Sequence, residues 1–225
     1  MTNLIIQAAN LIATNSVTFQ SYALSLLLSQ ANLVNDKWEL GLPKPVPPDD
    51  VVWKAKPMAT GVEGVISTKD GRYLWSFLEG RLEIFLDRQY SANSFLGNDK
   101  KKDALLQMTN QLTKANADKI AREALKRLGF TEARLCLRTP PKVSQWKYDT
   151  GSKTVGLPLY VVEWIDKEDK DWKPVYMEVS GITRKVVKYS NHSRSTPRIP
   201  LPANYYEMTG IRPATTPSRE PPRPP

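Results

Sequence analysis

The chain of 225 residues has only one cysteine, Cys136, and one histidine, His192. A single cysteine cannot form an internal disulfide, and cysteine-rich zinc sites and motifs that need two histidines are excluded. Cys136 lies in an apolar run and is expected to pack in the core. His192 could act as its base only if the chain after the last strand folded back. No Gly-x-Ser-x-Gly, phosphate-binding-loop or Gly-x-Gly-x-x-Gly sequence occurs. We therefore predict no catalytic residue, no metal, no cofactor and no enzyme activity.

Charge is absent from the first 35 residues. A secretory signal needs a positively charged start and an unbroken apolar run, and here polar residues interrupt that run. A transmembrane helix needs about 20 continuous apolar residues, which the chain does not have. Apolar side chains recur every three or four positions over about 18–36, which predicts a packed helix and no transmembrane segment. A displaced or trimmed export signal is the alternative interpretation of this stretch.

Positive charge is concentrated in the second half of the chain. The first 98 residues hold 8 basic and 9 acidic side chains, and the rest hold 24 and 14. A basic half can favour nucleic acid or a membrane surface. Charges of both signs are interspersed, however, as on a solvated surface, and no RNP-like or helix-turn-helix motif occurs. Nucleic-acid binding is therefore only a minor alternative. Its test is a salt titration, because binding through phosphate contacts must weaken steeply as the salt concentration rises.

Residues 1–98 are predicted to form an N-terminal unit of one helix and three strands. The Pro-rich segment 41–48 cannot be a helix or a central strand, so it separates the helix from the strands after it. Alternation of apolar and polar residues, with glycine in the turns, predicts an antiparallel meander of strands over about 62–87.

Residues 99–190 repeat this order. The helix over about 114–128 ends before Gly129, a residue type that favours helix termination, and strands follow over about 143–189. The predicted fold is α+β, with two tandem units in which a helix covers one face of an antiparallel sheet. The last segment, 191–225, has nine of the 18 prolines and is predicted to be an extended or disordered tail. Its apolar stretch at 200–212 is expected to lie along the body of the protein.

Three segments of the second unit carry a family resemblance: the helix at 117–129, the strand at 159–165 and the hairpin at 174–187. Together they resemble a PepSY-type domain of the broader cystatin-like group, whereas the first unit is similar only in its element order. The resemblance implies a secreted or periplasmic protein that is non-catalytic and inhibits peptidases or binds a partner.

Two glutamates, Glu163 and Glu178, stand in otherwise apolar strand patterns on neighbouring strands. Paired carboxylates can act as general acid and base on a glycoside, and the competing interpretation places both on the solvent side of the sheet. A second acidic group spans 166–171, but it lacks the spacing and the glycine of a calcium loop and contains lysines that would oppose a cation.

Aromatic and basic side chains provide the candidates for a binding surface. Rows of such residues on an open sheet can contact a partner, although tryptophans in strands more often pack in a core. Trp172 lies in a charged turn and is expected to be exposed. The candidates are Trp146, Tyr148, Trp164, Trp172, Tyr176, Lys185 and Lys188.

The expected function is that of a non-catalytic binding or structural protein. It would contact an unidentified protein partner through an open sheet face or edge, as a peptidase-inhibitor-like module does. The alternative is a glycan-acting hydrolase that uses Glu163 and Glu178. The contact role is argued here from two separate helix-covered sheets, and one continuous sheet would remove that support. The sequence predicts no oligomeric state.

Overall fold

A computed structural model describes residues 2–92, 103–104, 106–107, 110, 112–149, 151–166, 173–193 and 199–212, with side chains from residue 17 onward. The helices are α1 (Thr2–Trp38), α2 (Lys114–Arg127) and the short α3 (Tyr205–Thr209). The strands are β1 (Val51–Met58), β2 (Gly61–Thr68), β3 (Tyr73–Leu78), β4 (Arg81–Asp87), β5 (Lys142–Asp149), β6 (Thr154–Trp164), β7 (Val175–Ser180) and β8 (Val186–Asn191). None of the described helices is both long and apolar enough to span a membrane.

The eight strands form one antiparallel sheet in the order β1-β2-β3-β4-β8-β7-β6-β5. The expectation of two separate sheets is therefore wrong. The last strand of the first set, β4, pairs with the last strand of the second set, β8, through Ile84 with Ser190, Phe85 with Tyr189 and Leu86 with Lys188. Pairing satisfies the backbone groups of two edges that would otherwise be open. The division of the chain near residue 98 stays a prediction.

Strand β1 is an element that the sequence patterns did not predict. It contains Lys54, Lys56 and Pro57, residue types that are uncommon inside a sheet. The strand tolerates them because it forms one edge of the sheet, pairing only with β2. The other seven strands agree with the predicted ones to within a few residues at each end.

Both long helices pack on the same face of the sheet. Helix α1 contacts β1 and β2, and α2 contacts the four strands β5 to β8. Most apolar residues at helical spacing face the sheet and are buried, as predicted, but Leu33 of α1 is exposed. The two helices also meet, because the indole of Trp38 donates a hydrogen bond of 3.1 Å to the carbonyl of Ala124. The core side chains of the helices include Ala23, Leu27, Ala31, Ala117, Ala121 and Leu125.

The bounds of α2 follow from its end residues. Thr113 caps the start, where its hydroxyl accepts a hydrogen bond from the backbone N–H of Asn116. Gly129 adopts the left-handed conformation (φ 80°) that ends many helices, as predicted. The N–H of Phe130 then donates to the carbonyl of Leu125, which completes the C-terminal cap.

The segment after β8 corrects part of the tail prediction. Residue 191 still belongs to β8, and α3 packs against the middle of α1. Tyr205 and Met208 are buried there with Phe19 and Val62, which confirms that the stretch at 200–212 lies along the body of the protein. The Tyr205 hydroxyl donates to the carbonyl of Met58 at 2.9 Å and so fastens the segment to the end of β1. Residues 213–225 lie outside the described residues.

Candidate functional site: the face of the sheet opposite the helices

The sheet has a second face, opposite α1 and α2, which we call the outer face. Strand register places two cross-strand rows on it. One row contains Val52, Ser67, Leu74, Leu86, Lys188, Glu178 and Val161. The parallel row contains Lys54, Val65, Ser76, Ile84, Ser190, Tyr176, Glu163 and Lys142. Aliphatic residues predominate in the β2–β4 part of the rows, and the charged residues Lys188, Glu178 and Glu163 lie in the β6–β8 part.

The first half of the outer face exposes apolar side chains. Val52 is 60% exposed and Val65 is 40% exposed, and Leu74, Ile84 and Leu86 are half-buried. We call these five residues the open patch. With strands about 4.8 Å apart, the patch spans about 15 Å across β1 to β4. An antiparallel sheet that faces only water normally places polar residues at such positions, so an exposed apolar patch indicates a contact surface.

The second half of the outer face is covered by the chain itself. Ala92, Leu157, Leu159 and Val187 form a buried cluster there, with Tyr90 and Leu106 packed against it from the connecting segment. Two of the predicted binding residues, Trp146 and Tyr148, belong to this cluster and are partly buried. Their main contacts are therefore with the chain itself.

Glu178 lies on the outer face but is completely buried, so the interpretation that it faces solvent is wrong. Its carboxylate accepts hydrogen bonds from the N–H of Ala92 at 2.8 Å and from the hydroxyl of Tyr176 at 2.7 Å. The ammonium group of Lys188 lies 3.5 Å away and also sits over the Tyr176 ring. A buried carboxylate needs such compensation, and these contacts provide it.

Glu163 is also buried, at 7% exposure, rather than solvated. It forms an ion pair with Lys173 and stands opposite Tyr176 in the register of β6 and β7. Burial and then the charge of Glu178 raise the pKa of the Tyr176 hydroxyl far above its usual range, so it stays protonated as a donor. The two glutamates thus flank one tyrosine, each engaged by a lysine.

The structure separates the remaining predicted binding residues. Trp164 is fully buried on the helix face and belongs to the core, as strand tryptophans usually do. Lys185 lies on the helix side of the sheet, where its ammonium group donates to the carbonyl of Glu39. Trp172 lies outside the described residues. Tyr176 and Lys188 remain on the outer face, about the Glu178 carboxylate.

Cys136 is exposed rather than packed in the core. It lies in a turn with a left-handed backbone (φ 57°), and the adjacent Leu135 is the buried residue of this run. The apolar run did not distinguish which of its side chains points inward. Within the described residues, no cluster of three or more histidine, cysteine or acidic side chains could hold a metal ion.

A hydrogen-bonded chain of three polar residues was not predicted. Ser190 Oγ lies 2.6 Å from His192 Nε2, and His192 Nδ1 lies 3.2 Å from a carboxylate oxygen of Glu83. Ser190 and His192 are two positions apart, so they lie on the same side of an extended chain. The predicted strand ended at 189. Extending it by three residues would have placed this pair on one face, but the approach of Glu83 required the β4–β8 pairing.

No family model, curated protein or solved structure matches this chain. The resemblance to PepSY-type domains therefore stays a prediction.

Proposed function

We propose that the protein contacts another protein through the open patch on the outer face of β1–β4. The observation that carries the proposal is the exposure of Val52 and Val65 beside three half-buried aliphatic residues in two adjacent cross-strand rows. Burying such side chains against a partner contributes about 25 cal/mol per Å² of apolar surface removed from water. This support replaces the argument from two separate sheets, which the continuous sheet removes.

The face is a better contact surface than either edge of the sheet. The β1 edge has Pro57, which cannot donate to an added strand, and the exposed lysines Lys54 and Lys56. These residue types discourage strand addition at an edge. The β5 edge ends in the exposed residue Lys142 and in Asp149. Neither edge therefore presents a continuous unprotected strand, whereas the open patch presents a continuous apolar area.

The charges around the open patch indicate the chemistry of the partner. Lys54 is exposed beside Val65 in the same cross-strand row, whereas Lys56, further along the edge, is ion-paired with Glu63 at 2.9 Å. The half of the chain that holds the patch is nearly neutral, with 8 basic and 9 acidic side chains in residues 1–98. The fitting partner is a protein with an apolar centre and an acidic group that meets Lys54, because opposite charges at a rim favour association and orientation.

Site-specific photo-crosslinking tests this proposal. Benzoylphenylalanine replaces Val65 in one variant and Gln20, an exposed residue of α1, in a control variant. In extract of the source cells, the Val65 variant should crosslink to one discrete protein and the Gln20 variant should not. Adding Val52→Glu should abolish the crosslink, because burying an unpaired charge against a partner has a high cost in free energy.

A product of twice the chain mass would identify the partner as a second copy and would support the contact role. Equal crosslinking from both positions, or a crosslink that survives Val52→Glu, would refute the role of the open patch. Circular dichroism should show that all variants keep the native spectrum, since both substituted valines are exposed.

A further inference from the structure

The chain Ser190, His192 and Glu83 has the connectivity of a nucleophile, a base and a residue that orients the base. Glu83 accepts a hydrogen bond from Nδ1–H of the imidazole, at 3.2 Å. In the neutral ring, this places the proton on Nδ1 and leaves the lone pair on Nε2. His192 Nε2 lies 2.6 Å from Ser190 Oγ, so its lone pair is in position to act as a general base for the hydroxyl.

Ser190 is half-buried on the outer face, and its two partners are accessible to a ligand. The side chain of His192 is 40% exposed and that of Glu83 is 26% exposed. Both line a cavity of about 220 Å³, with Leu78 and Leu82 as apolar walls. Arg81 lines the same cavity, and its guanidinium is ion-paired with Glu79 at 2.8 Å. The cavity lies beside the imidazole that contacts Ser190, and its apolar walls fit the chain of a short acyl group.

We propose that Ser190 is a nucleophile that reacts with small activated acyl esters, with His192 as its general base and Glu83 as a positioning residue. Ser190 Oγ attacks the carbonyl carbon while its proton passes to His192 Nε2. The bond to the leaving group then breaks, and the leaving alkoxide takes that proton. Water, deprotonated by the same imidazole, hydrolyses the serine ester and restores the hydroxyl.

This inference is independent of the protein-contact role, because it uses β8 and the bulged end of β4 rather than Val52 and Val65. It would revise the expectation that the chain has no enzyme activity. None of the helices in the described residues begins beside the serine, and Ser190 lies within a paired strand. We therefore expect slow turnover, and covalent labelling is a more sensitive measurement than steady-state hydrolysis.

Diisopropyl fluorophosphate provides the first test. The serine displaces fluoride from phosphorus and transfers its proton to His192, which leaves a stable adduct that mass spectrometry can locate. We expect one adduct, at Ser190, with its rate reduced at least tenfold in His192→Gln. Ser76→Ala should label as the parent protein does, since Ser76 lies in the same cross-strand row with Ile84 between it and Ser190.

Adducts on tyrosines or on other serines alone, or an unchanged rate in His192→Gln, would overturn the proposal. The role of Glu83 has a separate readout, because the chain has a single imidazole. In Glu83→Leu, ¹⁵N NMR should show His192 moving from the Nδ1–H towards the Nε2–H tautomer, together with slower labelling. An unchanged tautomer with an unchanged labelling rate would refute the positioning role.

Discussion

Phe85 on β4 and Tyr189 on β8 stand directly opposite each other at the junction that makes eight strands into one sheet. The indole of Trp38, at the end of α1, packs edge-on against both rings, with centroid distances of 5.2 Å and 5.7 Å. The same indole donates to Ala124 of α2. One aromatic side chain thus connects both helices to both halves of the sheet.

This junction predicts that the two halves unfold together. Phe85 is completely buried, so Phe85→Ala should lower the free energy of unfolding by about 3–5 kcal/mol. Urea unfolding followed by hydrogen exchange should show β2 and β6 losing protection in one transition, in the parent protein and in the variant. Phe19→Ala, at a buried aromatic residue away from the junction, is the matched control for the loss of a buried ring. A separate transition for β1–β3 would contradict the prediction.

Glu178 is predicted to be a structural acid whose loss is costly. Glu178→Ala would leave the hydroxyl of Tyr176, the N–H of Ala92 and the ammonium group of Lys188 without their acceptor in a buried site. We expect a loss of about 3–5 kcal/mol in the free energy of unfolding. Glu63→Ala removes an exposed ion pair with Lys56 and should cost less than about 1 kcal/mol. Similar losses for both variants, measured by urea denaturation, would argue against a buried network.

Tyr73 is predicted to make stability fall at alkaline pH. Burial, followed by the charge of Asp87, raises the pKa of its hydroxyl to about 12. The unfolded tyrosine ionises near pH 10, so between pH 10 and 12 the folded chain holds a proton that the unfolded chain has lost. Stability is therefore full below pH 10 and decreases as the pH rises towards 12.

The variant Tyr73→Phe isolates this contribution from the other buried tyrosines. At pH 8 it should cost about 1 kcal/mol, because the hydroxyl donates to the carbonyl of Leu40 at 3.0 Å. The further loss between pH 10 and pH 12 should then be smaller than in the parent protein. Urea midpoints at several pH values measure both quantities. An equal loss of stability between pH 10 and pH 12 in the variant and in the parent protein would contradict the prediction.

Local patterns in the sequence were sufficient to predict the two long helices and seven of the eight described strands. Gly129 marked the end of α2, and the Leu and Ala stripes marked the buried sides of both helices, because spacing along one helix depends only on its own geometry. Alternation likewise located seven strands. The edge strand β1 escaped this reasoning, since its lysines and proline are tolerated only where one side of a strand has no partner.

Local patterns did not show how the elements combine around the candidate sites. Glu163 and Glu178 have the same alternating context as solvated residues, yet the segment that contributes Ala92 and Tyr90 covers that part of the outer face. The open patch differs from it only in lacking such a cover within the described residues. Whether a face is covered depends on a segment that is distant in the sequence. The periodicity of apolar residues within one strand carries no information about such a segment.

The amino-acid sequence by itself therefore determined the two long helices, seven of the eight described strands and which of their sides are apolar, because these follow from backbone geometry and the avoidance of water. Only the tertiary structure decided that β4 pairs with β8 and that Glu83 meets His192 across that pairing. The physical reason is that two edges with similar alternation can pair with many partners, and the choice depends on the packing of the whole chain.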